Sequence, residues 1–304
     1  MIDVIREGER ISGVIVASKS GLFAILADVV IDCTGDGDIA ALAGAEYAFG
    51  DSANCAQPMT MMFRVGGLRH DHPAGWSAEW YDTLKKRIPE QKLLEQIPYN
   101  CPAVIPLPRP GEAMIQWTHI HRHSGIDADS LTAATLEGRR QVCFILDMVF
   151  PKIRDVLGDL YLLELPAVLG VRETRRIIGD YTVSSEDIRN ERRFPDAVCH
   201  VRNGIDIHTP GSVEQEIVHH AGFDIPLRSL FVKGFDNLMT AGRCISGSFR
   251  AHAAYRVTGN CLKIGESAGN AAAGAITAGL PLRKWAAQNK SVPETTHNNR
   301  ERGK

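Results

Sequence analysis

The sequence predicts an α/β (α+β) protein in which a discontinuous outer domain, residues 1–52 plus 223–287, carries an inserted mixed α/β domain at 53–222. A polar tail at 288–304 follows and is expected to be disordered. Three observations predict this layout. The segments before Ala53 and after Phe223 share a texture of β-branched runs ending in glycine-rich turns and then helices. The stretch between them is broken by proline loops, Ile97-Pro98 and Leu107-Pro108-Arg109-Pro110, between short strand patterns. The chain has 304 residues, 44% hydrophobic and 23% charged, which is enough for two compact units.

In chain order, Ile11-Ser-Gly-Val-Ile-Val-Ala17 alternates and meets the turn signal Lys19-Ser20-Gly21, which predicts a hairpin or meander. Ala24 to Cys33 ends in a β-branched run that fits a strand buried on both faces. It breaks at Thr34-Gly35-Asp36-Gly37-Asp38, before a short helix from Ile39 to Ala45. In the middle segment, strands are expected at Met59 to Val65, Ala113 to Thr118 and Leu162 to Gly170. A helix from Leu131 to Val149, capped by Asp129 or Ser130, is stopped or kinked by Pro151. After Phe223 come strands at Ile225 to Val232 and Asn237 to Ala241, the turn Gly242-Arg243, and a helix from Arg256 to Ala278 ended by Gly279 and Pro281.

Charge and composition narrow the function. A net charge of −2 and a pI near 6.6 give no bulk reason to attract nucleic acid or an anionic membrane, so neither is expected as a partner. Met1 to Arg10 lack the apolar core of a signal peptide, and no apolar run is long enough for a membrane span, so a cytoplasmic protein is expected. The seven cysteines are scattered with no Cys-x-x-Cys pair, so no metal site is expected.

Two constellations could carry chemistry. Gly35-Asp-Gly-Asp-Ile-Ala40 matches Gly-x-Gly-x-x-Ala between a strand and a helix, the pattern of a dinucleotide fingerprint. Asp36 and Asp38 would place two carboxylates beside the pyrophosphate, which opposes that use. The alternatives are that one of them caps the helix, or that the loop approaches a cofactor from another side. The second constellation is Ala241-Gly242-Arg243-Cys244-Ile245-Ser246, followed by Arg250, His252 and Arg256. The helix beyond is rich in small residues (Gly265, Ala268, Gly269, Gly274), which would admit a close backbone or a flat ligand.

These residues carry a resemblance. Val30 to Asp38, Gln57 to Arg64, Gly170 to Tyr181, Asp206 to Pro210, Asp236 to Ser246, and Arg256-Val257 with Cys261 and Gly265 resemble ordered blocks of the FAD-dependent oxidoreductases, relatives of the heterodisulfide reductase A flavoproteins. The resemblance implies an incomplete Rossmann-like FAD-binding domain with an inserted substrate domain. It also implies hydride transfer between flavin and an unidentified small-molecule substrate. It assigns Gly35, Asp36, Gly242, Arg243, Arg256, Val257 and Cys261 to the cofactor, and it points to His252, Arg250 and Arg172 as catalytic candidates, with Arg175 and His208 beside them. The family's opening strand, Gly-x-Gly-x-x-Gly and helix have no counterpart in these residues. An N-terminally shortened member is therefore expected, with weak or absent FAD binding and a second chain or a homo-oligomer as a possible partner. Two readings stay open beside it. One is an inert remnant or interaction subunit, and the other is an NAD-dependent dehydrogenase using Gly35 to Ala40.

Overall fold

The computed structural model describes residues 1–71, 75–76, 78–88, 91–209, 212–217 and 219–289; the tail expected to be disordered lies outside them, apart from residues 288 and 289. Mixed α/β structure is distributed over two compact units, one formed by 1–49, 175–205 and 215–304, the other by 50–174 and 206–214. Residues 175–205 are thus grouped with the outer segments rather than with the middle one. The cause is strand pairing: Arg175–Ile177 pairs with Tyr47–Phe49, and Ala197–Val201 pairs with Phe223–Pro226. Among the described residues no helix is long and apolar enough to cross a membrane.

The first unit opens with an antiparallel meander of Asp3–Glu7, Arg10–Ser18 and Gly21–Leu26, with the predicted turn at Lys19 and Ser20. The next strand is shorter than its apolar run suggests. Only Val30–Asp32 is extended, and it pairs in parallel with Leu238–Thr240. Asn237 ties the meander to this pair. Its buried amide accepts from Ile11 N and donates to the carbonyls of Ile11 and Asp28. Ile11, Val30, Ala40, Ile177, Val232 and Leu238 form the core beneath.

A short helix that the sequence did not predict, Phe249–Tyr255, precedes the predicted one, which spans Thr258–Thr277, and Arg256-Val257 separates the two. Ser248 caps the first by accepting from Ala251 N. The second ends as predicted, with Gly279 at φ +62° just beyond it, and Pro281 opens the helix Leu282–Gln288. A Cβ at Gly274 would lie 2.4 Å from Trp285 of that last helix, so this glycine is spent on packing an indole.

In the second unit an antiparallel sheet runs in the order Tyr161–Glu164, Phe63–Gly66, Glu112–Gln116, Ala103–Pro106, Gly75–Trp76. Phe63, Val65, Ile115 and Val104 bury one face against Val142, Ile145, Val149 and Phe150. The helix carrying those residues starts earlier than predicted. It spans Ala128–Phe144, and its cap is Asp127, whose carboxylate accepts from Ser130 N, not Asp129 or Ser130. It continues as a wide turn, Ile145–Val149, and a tight one, Phe150–Ile153. Pro151 has no N–H to donate four residues back, so the regular ladder ends ahead of it.

Candidate functional site

The two parallel strands of the first unit end side by side in glycines that only left-handed backbone allows, Gly35 at φ +78° and Gly242 at φ +87°. Carboxyl ends of parallel strands are where α/β proteins receive ligands, because the following helices start there. The loop after Val30–Asp32 is built on Asp32, which is fully buried. Its carboxylate accepts from Thr34 N at 3.0 Å, Thr34 Oγ1 at 2.7 Å and Ala40 N at 2.9 Å. Thr34 Oγ1 in turn accepts from Asp38 N at 3.0 Å. The N–H groups of Thr34, Asp38 and Ala40 are therefore satisfied within the loop, and these three are not available to a pyrophosphate.

Neither aspartate of this loop caps the following helix. The helix is short, Asp38–Leu42, and its N-cap is Gly37, with no side-chain cap bond. Asp36 pairs with Arg243 at 2.6 Å, and Asp38 pairs with Arg175 at 2.8 Å. Arg175 also donates to the Asp36 carbonyl at 3.0 Å. Arg175 is part-buried, and the neighbouring Arg176, also buried, donates to the Gly247 carbonyl.

Gly242 is the open position. A Cβ built there has no atom within 4 Å, and the same holds for Gly259, Gly265 and Gly269 on the long helix. The first turn of that helix has no side-chain cap, with Val257 at the N-cap position and 42% exposed. Unbonded N–H groups of a helix start present partial positive charge. Arg243 and Arg256 act on Cys261 in that first turn and favour its thiolate. Burial is the larger effect, however, and the thiol is pushed up. The arrangement sets open glycines and an uncapped helix start beside Arg243 and Arg256.

The catalytic candidates are placed differently from one another. His252 is 1% exposed, and its Nδ1 is buried without a hydrogen-bond partner. Burial first, then the nearby charges of Arg256, Arg176 and Arg243, holds it far below the usual imidazole range, so the ring is neutral. Arg250 is held by Glu216, which also takes Arg189 at 2.9 Å. Arg172 belongs to the second unit. It donates to the Pro58 carbonyl at 2.7 Å and to Thr60 Oγ1. The structure thus gathers Gly35, Asp36, Gly242 and Arg243 directly, and links His252, Arg256 and Cys261 to Arg243 through its field.

Sequence reading named His208 but passed over the cluster it belongs to in the second unit. His119 is fully buried, stacks on Tyr99 with ring centroids 3.8 Å apart, and meets His208 at 3.1 Å. Gln141 brackets its backbone, accepting from His119 N at 3.1 Å and donating to His119 O at 2.9 Å. The signal was present in His119-Ile120-His121-Arg122-His123, three histidines at alternate positions beyond a strand.

A cavity of about 510 Å³, lined by residues that include Arg10, Val29, Asn237, Ala275, Ile276 and Leu280, opens at the opposite ends of the parallel strands and holds none of the sequence candidates. The family model described as FAD dependent oxidoreductase matches residues 1–289. No curated protein and no solved structure matches the chain.

Proposed function

The chain belongs to the FAD-dependent oxidoreductase family, and from that premise we propose that it works in flavin redox chemistry with the flavin seated at Gly242, Arg243 and the start of the Thr258–Thr277 helix. The observation that carries this is Gly242: its positive φ and empty surroundings let a ring approach the backbone where any side chain would intrude. Bound FAD would supply hydride acceptance or donation toward a small-molecule substrate. Arg243 and the uncapped helix start would lie against its electron-rich edge, with Arg256, Val257 and Cys261 around the first turn. Gly35 lets Arg243 lie flat over the loop, and Asp36 fixes its guanidinium. His252 is neutral and interior beside the charges of Arg256, Arg176 and Arg243, and Arg250 would meet a substrate anion.

The pyrophosphate is a different matter, since the loop N–H groups of Thr34, Asp38 and Ala40 are already bonded. Those three groups therefore do not anchor it. This reading also disfavours nicotinamide dinucleotide binding at Gly35 to Ala40, which would require those same donors. The oxidoreductase would act alone or be completed by a partner.

Titration of FAD into the purified chain, followed by quenching of flavin fluorescence, tests the site. Saturable quenching that Gly242→Ala abolishes supports it. Quenching that survives both Gly242→Ala and Arg243→Ala would remove these residues from the cofactor site.

A further inference from the structure

The meander of the first unit ends in an open edge. Gly21–Leu26 pairs with Arg10–Ser18 on one side, and among the described residues no strand lies on the other. The register says which of its backbone groups face outward. Ala27 N donates to Ser12 O, so residue 27 faces the neighbouring strand, and Ile25 and Phe23 do so by alternation. Leu22, Ala24 and Leu26 therefore turn their N–H and C=O groups away from it. Every residue of the strand is exposed, with Leu22 at 69% and Leu26 at 72%. Exposed edges are commonly guarded by a charge, a proline or a bulge. From Ser20 to Ala27 there is no charged residue and no proline, and the register against Arg10–Ser18 is regular.

The segment is also complementary to itself. Lys19 precedes it and Asp28 follows it, the latter with a side chain 80% exposed that Arg10 meets at 3.4 Å. Antiparallel pairing with a second copy, about a two-fold axis at Ala24, sets Leu22 opposite Leu26 on one face and Phe23 opposite Ile25 on the other. Outward backbone groups then meet outward backbone groups, which regular antiparallel pairing requires. An aromatic residue against a β-branched one is a favourable cross-strand pair. At each end, Ser20 comes opposite Asp28, so Lys19 of each copy stands beside Asp28 of the other. Parallel pairing in register would instead put Lys19 on Lys19 and Asp28 on Asp28, which like charges oppose.

We propose that Gly21–Leu26 is a dimer edge, through which two copies of this chain join antiparallel about Ala24 and merge their three-stranded meanders into one sheet. Both copies use the same edge, so the contact closes on itself and stops at two. The inference goes beyond the flavin reading and does not depend on FAD, so its experiment can fail or succeed separately.

Sedimentation velocity on the full chain over a range of concentrations is expected to show a monomer–dimer equilibrium. Ala24→Lys sets like charges opposite each other on the axis, at an exposed position, and should leave a folded monomer. Lys19→Asp and Asp28→Lys should each weaken the dimer by about tenfold, because both ends become repulsive. An equal mixture of those two variants should recover it as a heterodimer. Ala24→Cys should form a disulfide between the copies on mild oxidation, identified by peptide mass spectrometry, since opposite Cα atoms of a hydrogen-bonded pair lie about 5.5 Å apart. Leu22→Cys should not. The amides of Leu22, Ala24 and Leu26 should gain protection from hydrogen exchange as concentration rises. A chain that is monomeric at every concentration, a dimer that Ala24→Lys leaves intact, open-ended polymers, or Leu22→Cys linking as readily as Ala24→Cys would each overturn the proposal. So would protection of those amides that does not depend on concentration, which would put another segment of the same chain on the edge.

Discussion

Arg243 lies across Gly35 so closely that a Cβ at residue 35 would come within 2.8 Å of the guanidinium carbon, while the same guanidinium pairs with Asp36 at 2.6 Å. Two turns that are far apart in sequence are thus locked at the carboxyl ends of the parallel strands. Gly35→Ala should cost about 1–2 kcal/mol from the left-handed backbone alone. Displacement of Arg243 from Asp36 should add to this. In an Arg243→Ala background the displacement disappears and the backbone cost remains, so a denaturation double-mutant cycle is expected to show coupling. Additive losses would mean that the contact between residues 35 and 243 carries no energy.

Gly242→Ala separates folding from binding. The position has positive φ but open surroundings, so the alanine should cost about 1 kcal/mol of strain without a clash. Its Cβ would occupy the space proposed for the flavin. A modest drop in urea midpoint with complete loss of flavin quenching is the expected pair of results, and a large unfolding effect would make Gly242 a folding residue.

How much of this was legible in the sequence depends on the range of each interaction. The strands ending at Asp32 and Thr240 stood out as apolar runs before glycine, and Gly279 with Pro281 marked the end of the long helix. Asp127 was overlooked as a cap because Asp129 and Ser130 offer equally good chemistry, and the backbone turn decides among them. The Arg243–Asp36 pair spans 207 positions, and no local pattern reports that. Asp32 read as one more residue of a strand, whereas its role comes from donors at Thr34 and Ala40 that only the folded loop presents. The histidine cluster had a visible spacing but needed His208, on a distant strand, to complete it.

Thiol reactivity should follow burial. Cys55 and Cys143 are exposed, whereas Cys199 is pushed up to about 11 by burial and Cys244 is fully enclosed. Cys261 is also raised by burial despite Arg243 and Arg256. Iodoacetamide at neutral pH followed by peptide mass spectrometry should label Cys55 and Cys143 first, Cys261 slowly, and Cys199 and Cys244 only after unfolding. Fast labelling of Cys261 would show that Arg243 and Arg256 outweigh its burial.

Three histidines, His252 in the first unit and His119 and His121 in the second, have folded-state pKa values lowered chiefly by burial. Above the unfolded value near 6.5 all three are neutral in both states, and their contribution to stability is constant. As pH falls below it, the unfolded chain takes up protons that the folded chain refuses, so stability declines toward acid. The limiting slope is about 1.4 kcal/mol per pH unit for each histidine. Urea midpoints from pH 7 to pH 5 should therefore fall, and His252→Gln should flatten the decline of the first unit. A midpoint independent of pH across that window would mean that the rings protonate in place.

Asp32 makes the sharpest test of the loop itself. It is fully buried at the end of a strand, and its two oxygens take three hydrogen bonds, two of them from backbone N–H groups. Asp32→Ala removes the acceptors of Thr34 N and Ala40 N and leaves the buried Ala40 N–H with nothing to donate to. A loss of about 2–4 kcal/mol is expected, since the stranded donor keeps its desolvation cost and the other hydrogen bonds are lost. Asp32→Asn retains one acceptor oxygen but turns an N–H group toward a donor, so it should restore only part of the loss. Hydrogen exchange localises the effect: the Ala40 amide should exchange much faster in both variants, while amides of the Thr258–Thr277 helix follow global stability alone. If Ala40 exchange is unchanged and stability falls by less than about 1 kcal/mol, the loop is held by Arg175 and Arg243 rather than by Asp32.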